Sequence, residues 1–415
     1  MKRNNLIKAF GFSLVELMIA VFVSLIVLLG LISVFETSAN MNRTQNGLAR
    51  LQENGRYAIM HIKQNLEQAG YQSCLSSSIS GESVELSPRK LPWQIHTNGT
   101  TGISGIPERN QVFMSGSIDA FPKPYLFDPA YLIHGHECSA GACQPSLTTI
   151  GSDFSSSFTM PALGKADGER LAGNDVISFR YIRSNGYQIT NIAGTNITFV
   201  NNTGSIPEFG DHLLLAKCDG NATPPSLVNI NSVTTNSVSI ATNGFFFDPQ
   251  VDQRIFGIKN DIVQMTYYVA NKVVDGRDIP TLYNVVNGVT NAIVEGVDKF
   301  DIIYGVQTSD GLVRYLDANG VQNLSTSLCH QPPIKVADIT GEMINGVGCG
   351  WRSVVSAEVH LLLNTVANAS PSDKEQFYYS LDGVDAKNPS DLLSGIKHYN
   401  LLRKEFMANI SIKNN

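Results

Sequence analysis

Two stretches of this 415-residue chain concentrate residue types that could do chemistry. The first is HGHECSAGAC, residues 134–143, which brings His134, His136, Cys138 and Cys143 together. Two imidazoles and two thiolates are suitable zinc ligands, but this spacing follows no finger or ribbon pattern, and an oxidised cysteine pair cannot supply thiolates. The second is GFSLVELMIAVFVSLIVLLGLISVF, residues 11–35, the most apolar run of the chain, which carries the carboxylate of Glu16. At mid-membrane an acid costs roughly 2.5–3.5 kcal/mol on insertion scales, so it marks a functional position and calls for a compensating cation. The plainer alternative is an acid solvated at headgroup level.

Elsewhere the familiar catalytic patterns are missing. The chain has no Walker lysine loop, no nucleophile elbow and no His-Glu-x-x-His. The acid pairs Asp298 with Asp301 and Asp382 with Asp385 stand beside turns, where solvated carboxylates are normal. DGVDAKNPSD, residues 382–391, clusters hard oxygen ligands suited to calcium but fails the EF-hand spacing. The expectation is a protein that is not an enzyme and carries no metal or cofactor. Charged residues make up 16% of the chain, against about 25% in typical soluble proteins. With a net charge of −6 there is no basic footprint for a nucleic-acid partner.

The elements that must position Glu16 follow from periodicity. Residues 12–35 as a helix span ~36 Å, enough for a hydrocarbon core of roughly 30 Å. Lys2, Arg3 and Lys8 precede this run with no acid among them, which holds the amino end in the cytoplasm and sends the bulk of the chain outward. A conventional secretory signal has its small residues after the apolar core; here Gly11 stands before it, so a cut there keeps the helix and frees an amino group at Phe12. The helical pattern continues through Leu48, Leu51, Ala58, Ile59, Ile62, Leu66 and Ala69, with Gly70 as terminator. One helix from about Phe12 to Ala69 is ~87 Å long.

From 72 to 173 the text is loop-rich. Strand character begins at NDVISFRYI, residues 174–182, and recurs in NITFV, DHLLLAKC, SVSIA, IVQMTYYVA, PTLYNVV, FDIIYGV, VVSAEVHLLLNT and FMANISIKN. These patterns predict an α+β protein with a mostly antiparallel sheet packed on the second half of the long helix. The six cysteines of an exported chain read as disulfides. Cys138 and Cys143 flank a tight Ser-Ala-Gly-Ala loop and Cys329 and Cys349 a loop-like stretch rich in Gly and Pro, two local pairs that leave Cys74 with Cys218; about fifteen pairings are open in principle.

The short basic leader followed by Gly-Phe-Ser-Leu-Val-Glu-Leu-Met-Ile-Ala, residues 11–20, resembles the class III signal of type IV prepilins and type II secretion pseudopilins. The resemblance implies that a prepilin peptidase cuts after Gly11 and methylates Phe12. It also implies that Glu16 neutralises the terminal amine of a neighbouring subunit during filament assembly. LQENGRYAIMHIKQNLEQAGYQSC, residues 51–74, and the strand series from NDVISFRYI to FMANISIKN resemble PilW-type minor pilins; Glu295-Gly296-Val297 is shared with the J-type pseudopilin of type II secretion. The chain then divides into a leader (1–11), a long helix (12–70, transmembrane over 12–35), a variable loop-rich lobe (71–173) and a β-sheet domain (174–415). The expected function is a low-copy subunit at or near the tip of a type IV pilus, helping to start assembly and presenting a Y-type tip adhesin. Its other partners are the remaining minor pilins, the major pilin and the inner membrane, where the precursor waits with its head in the periplasm before joining an extracellular pilus. The alternative is a J-type pseudopilin, although those chains are generally much shorter.

A bulky replacement such as Gly11→Phe is expected to abolish cleavage. Peptide mass spectrometry of the mature amino terminus checks this: full conversion to a peptide starting at methylated Phe12 in the variant would refute the assigned bond.

Overall fold

The computed structural model describes residues 13–71, 94–95, 133–147, 160–210, 212–218, 226–241, 245–328, 349–367, 369, 376–396 and 400–412. The first element, α1 (Leu14–Leu66), is a single 53-residue helix, ~80 Å long at 1.5 Å per residue. Ser13 caps it, and no proline interrupts it. Its second half buries Leu51, Gly55, Ala58, Ile62 and Leu66, a stripe at steps of three and four residues. Leu48, expected in that stripe, is 36% exposed, and Gly55 is a stripe member that apolar periodicity overlooked. The reason is contact distance: a Cβ on Gly55 would lie 2.4 Å from the Phe406 ring, and one on Gly47 2.6 Å from the Ala369 Cβ. The helix lies so close to the sheet that only a bare backbone fits at these points. Regular helix stops at Leu66, and Gly70 then turns the chain with φ +77°, its N–H donating to the Arg180 carbonyl at 2.8 Å.

After the helix come β1 (Gln94–Ile95), β2 (Ile133–Cys138), β3 (Cys143–Gln144) and β4 (Val176–Ile182). A six-strand excursion follows: β5 (Tyr187–Ala193), β6 (Asn196–Phe199), β7 (His212–Lys217), β8 (Ser226–Val233), β9 (Ser237–Ile240) and β10 (Gln253–Gly257). A helical turn, α2 (Ile258–Asp261), returns the chain to β11 (Ile262–Val274), which pairs antiparallel with β4. Two hairpins extend it through β12 (Arg277–Val286) and β13 (Val289–Glu295). The chain ends in β14 (Val297–Gln307), β15 (Val313–Leu316), α3 (Ala318–Gln322), α4 (Cys349–Arg352), β16 (Val354–Asn364) and β17 (Arg403–Ser411).

The strands divide among three sheets where the sequence suggested one. The order β13-β12-β11-β4-β2-β3 makes the first and β15-β14-β16-β17 the second; α1 packs on β13, β16 and β17. One core runs through both sheets and the helix, holding Ile62, Leu66, Phe179, Tyr267, Phe300, Val359 and Leu361. The third sheet is a closed barrel, because β8 pairs with both β7 and β9 and so completes the ring β5-β6-β9-β8-β7-β10. The barrel has its own core of Ile189, Ile197, Phe199, Leu213, Val228, Val238 and Ile255. Burial separates the two kinds of strand. All seven residues of β4 are buried, as befits a sheet covered on both faces, whereas β6 and β9 alternate with period two around a filled interior.

Gly296 joins the first sheet to the second. It stands between β13 and β14 with φ +84°, donates to the Pro280 carbonyl at 2.7 Å and accepts from the Asn364 N–H at 2.7 Å. A Cβ there would lie 2.7 Å from the Asn364 carbonyl oxygen. The Glu-Gly-Val signature is therefore the point at which one strand leaves one sheet and enters the next.

Gly296→Ala is expected to destabilise the head by about 2 kcal/mol or more, combining left-handed strain with the clash. Gly276, also in the left-handed region at φ +72° with nothing within 4 Å, is the control; Gly276→Ala should cost less. Thermal unfolding of both variants in detergent measures the difference, and equal losses would refute the crossover role.

Candidate functional site

The first half of α1 is the largest apolar surface of the described chain. The large apolar side chains from Leu14 to Phe35 are all more than half exposed, and no charge lies between Glu16 and Glu36. Two hydroxyls here bond back to the helix itself. Ser24 Oγ donates to the Ala20 carbonyl at 2.6 Å and Thr37 Oγ1 to the Ser33 carbonyl at 2.8 Å. A surface with its backbone bonds satisfied internally and these hydroxyls turned inward suits hydrocarbon or a bundle of like helices. Membrane anchoring fits this helix by length and composition.

Glu16 closes the N-terminal turn. Val15 N–H donates to Ser13 Oγ at 3.3 Å and Ser13 N–H to Glu16 Oε2 at 3.2 Å, a reciprocal capping box. The carboxylate is thus held at the helix start, beside the backbone N–H groups that helices leave unpaired, and remains exposed to a further cation. Gly11 and Phe12 lie outside the described residues.

The second half of the helix is fastened to the head at polar points as well as apolar ones. Thr44 Oγ1 donates to the Ala369 carbonyl at 2.7 Å. Near the far end, Asn65 Nδ2 donates to the Tyr267 hydroxyl at 3.1 Å, and that hydroxyl lies 3.0 Å from His61 Nδ1. Burial lowers the His61 pKa, which keeps the ring neutral and free to accept from the phenol.

The remaining sequence candidates are drawn into the scaffold. Cys138 and Cys143 form a disulfide; Cys218 is disulfide-bonded, and Cys349 opens α4. Cys74 and Cys329 lie outside the described residues. His134 Nδ1 faces His136 Nε2 at 3.0 Å, and His136 Nδ1 meets the Pro145 carbonyl at 2.7 Å, so the ring nitrogens serve each other and the backbone. Of Asp298 and Asp301, which the sequence suggested were solvated, the first is buried and the second half-buried, because β14 is an inner strand. Arg403 Nε donates to Asp298 at 2.8 Å, and the Tyr379 hydroxyl to Asp301 at 2.5 Å. In the calcium-like segment, Asp382 meets Lys299 at 2.6 Å and Asp391 accepts from the Asn388 N–H at 2.8 Å.

Sequence reasoning missed an acidic group where the two sheets meet. Asp175 accepts from the Cys138 N–H and the Ile302 N–H, both at 3.0 Å, and so ties β2 to β14. Burial, with Asp301 and Glu137 nearby, holds its pKa well above the carboxylate range. The same causes push Glu137 up to about 7, burial first and then Asp301 and Asp317. The available signal was Asn174-Asp175 standing directly before a strand rich in β-branched and aromatic residues.

One serine, histidine and acid also converge. Ser380 Oγ lies 3.1 Å from His360 Nδ1, but Glu405 Oε1 lies 2.9 Å from that nitrogen and 2.6 Å from the serine hydroxyl. The hydroxyl donates to the carboxylate, which leaves the imidazole no serine proton to take, contrary to a nucleophile–base relay. This group pins the segment around Ser380 onto β16 and β17.

Residues 266–414 match the family model PilW, described as Type IV Pilus-assembly protein W. Over this stretch the chain is similar to PilW-type pilus proteins. No curated protein and no solved structure matches it. The PilW-type region takes in the hairpins of β11–β13, the Gly296 crossover and the whole second sheet, the surfaces that grip α1. The match supports a role in type IV pilus assembly and, in general terms, contact with other pilus components. Such proteins are generally structural.

Two titrations oppose each other in this head. Folded Glu137 keeps its proton to about pH 7, whereas the unfolded chain releases it near 4.5, so this group's stabilisation is lost as pH rises through that window. Burial lowers the His136 pKa to about 4; its contribution is present above about 6.5 and lost as pH falls through the folded value. Glu137→Gln is therefore expected to gain melting temperature relative to the parent between about pH 5 and pH 8. A constant difference over that range would refute the assignment.

Proposed function

We propose that this PilW-type chain is a low-copy minor pilin at or near the tip of a type IV pilus, where it helps to start assembly and presents a tip adhesin. The observation that carries the reading is the continuity of α1. One helix runs from an apolar half exposed among the described residues into a half fastened to the β head. The precursor is stored in the inner membrane with its head outside. Cleavage after Gly11 frees the Phe12 amine, and the apolar half then passes from lipid into a bundle of neighbouring helices with little change in apolar burial.

Glu16 supplies the charge term of that transfer. Inside a helix bundle a lone carboxylate is costly, and a neighbour's terminal amine compensates it. Because the amine exists only after cleavage, the pairing selects processed subunits. The PilW match favours a pilus over the secretion pseudopilus as the setting.

Glu16→Ala is expected to leave membrane insertion and head folding intact while lowering incorporation into pili at least about tenfold, the ratio that 1.4 kcal/mol represents. Quantitative mass spectrometry of sheared filaments against membrane fractions makes the measurement. Parental incorporation of the variant would overturn the role of Glu16.

A further inference from the structure

The barrel β5–β10 stands at one pole of the molecule, and its position follows from backbone bonds. Tyr267 of β11 lies beside His61 and Asn65 of α1. Ile182 at the end of β4 donates its N–H to the Tyr71 carbonyl at 2.7 Å, just past the helix terminus. Ile182 pairs with Ile262 and Ile177 with Tyr267, so β4 runs toward the C-terminal end of α1 and β11 runs back from it. The barrel is inserted at the far end of that hairpin. Its two connections meet there, with Arg183 N–H donating to the Asp261 carbonyl at 2.7 Å and the Arg183 guanidinium to the Asn260 carbonyl at 2.7 Å. The apolar half of α1 leaves from the opposite pole.

The barrel is also separable. Its core shares no residue with the core around α1, and it lies wholly outside residues 266–414. Closure of the ring pairs its six strands with one another, and the short edge left at the start of β8 is taken by the two residues of β1 in parallel.

We propose that this barrel is a steric cap, which confines the subunit to the end of a filament. The inference rests on the filament reading given above. Subunits drawn from a membrane join at the base, so each one's distal pole faces a subunit already in place. When apolar helix halves bundle along an axis, heads must stack, and a closed barrel beyond the end of α1 fills the space of the next head. Only the first subunit has that space empty. The PilW-type head can then keep its helix-gripping surfaces while the insertion fixes its place in the order of assembly.

The test removes the barrel at its own neck. Residues 184–260 are replaced by Asn-Gly, which closes a two-residue hairpin between Arg183 and Asp261, a pair already joined by a backbone bond. Copies per filament are counted by quantitative mass spectrometry of sheared pili, and positions by immunogold labelling of a tag. The parent chain should label one end; the trimmed chain should rise several-fold in copies and label the shaft. A folded, protease-resistant trimmed chain that stays at the end, or no longer enters filaments, overturns the cap. A second variant carries an unrelated compact domain with adjacent termini in place of the barrel. Labelling at the end supports a steric cap and labelling along the shaft overturns it, whether or not the trimmed chain folds. Absence of the parent chain from sheared pili would instead overturn the filament reading itself.

Discussion

The structure depends on one helix having to satisfy two environments without a break in its hydrogen bonding. A chain that crosses hydrocarbon must meet its backbone needs internally, and a rigid link to a folded head requires that the same helix continue beyond the membrane. The first half therefore spends its side chains on bulk and the hydroxyls of Ser24 and Thr37 on its own carbonyls. The second half accepts Gly47 and Gly55, each costing about 1 kcal/mol of helix propensity relative to alanine, because Ala369 and Phe406 sit where a Cβ would be. Close approach then lets Leu51, Ala58, Ile62 and Leu66 reach a core shared by two sheets.

That shared core needs its sheets in fixed registration, and the fastenings are polar and backbone groups set between them. Gly296 lets a single strand serve both sheets. Asp175 bonds to one strand of each, and Arg403 with Asn364 neutralises and solvates the fully buried Asp298. Buried ion pairs lose much of their Coulomb energy to desolvation, so their contribution here is orientation: each bond has one geometry, and the sheets can meet in one way only. The raised pKa values of Asp175 and Glu137 follow first from burial at that joint and then from the other acids placed there.

The barrel obeys a different rule. It fills its own interior, is entered and left at one point beside Arg183 and Asp261, pairs with β1 at the start of β8, and adds nothing to the core that holds the helix. A module so placed can change without disturbing the anchor. The PilW-type match stops short of it while covering the sheet that grips α1.

The sequence by itself determined the periodic and local features. The apolar run, the basic residues ahead of it, Glu16 near its start, the helical repeat to about residue 69 and the strands β4 to β17 that the text pointed to all depend on neighbours within a few turns of chain. The tertiary structure alone decided which strands share a sheet. The barrel strands look like the others in composition, and only the pairing of β8 with β9 closes them into a ring. It likewise decided that Gly55 belongs to the buried stripe, that Asp298 is interior and Asp301 half-buried, and that Ser380 bonds to Glu405 rather than to a base. These outcomes depend on residues dozens to hundreds of positions apart coming within a few ångströms, and no local pattern encodes such a meeting.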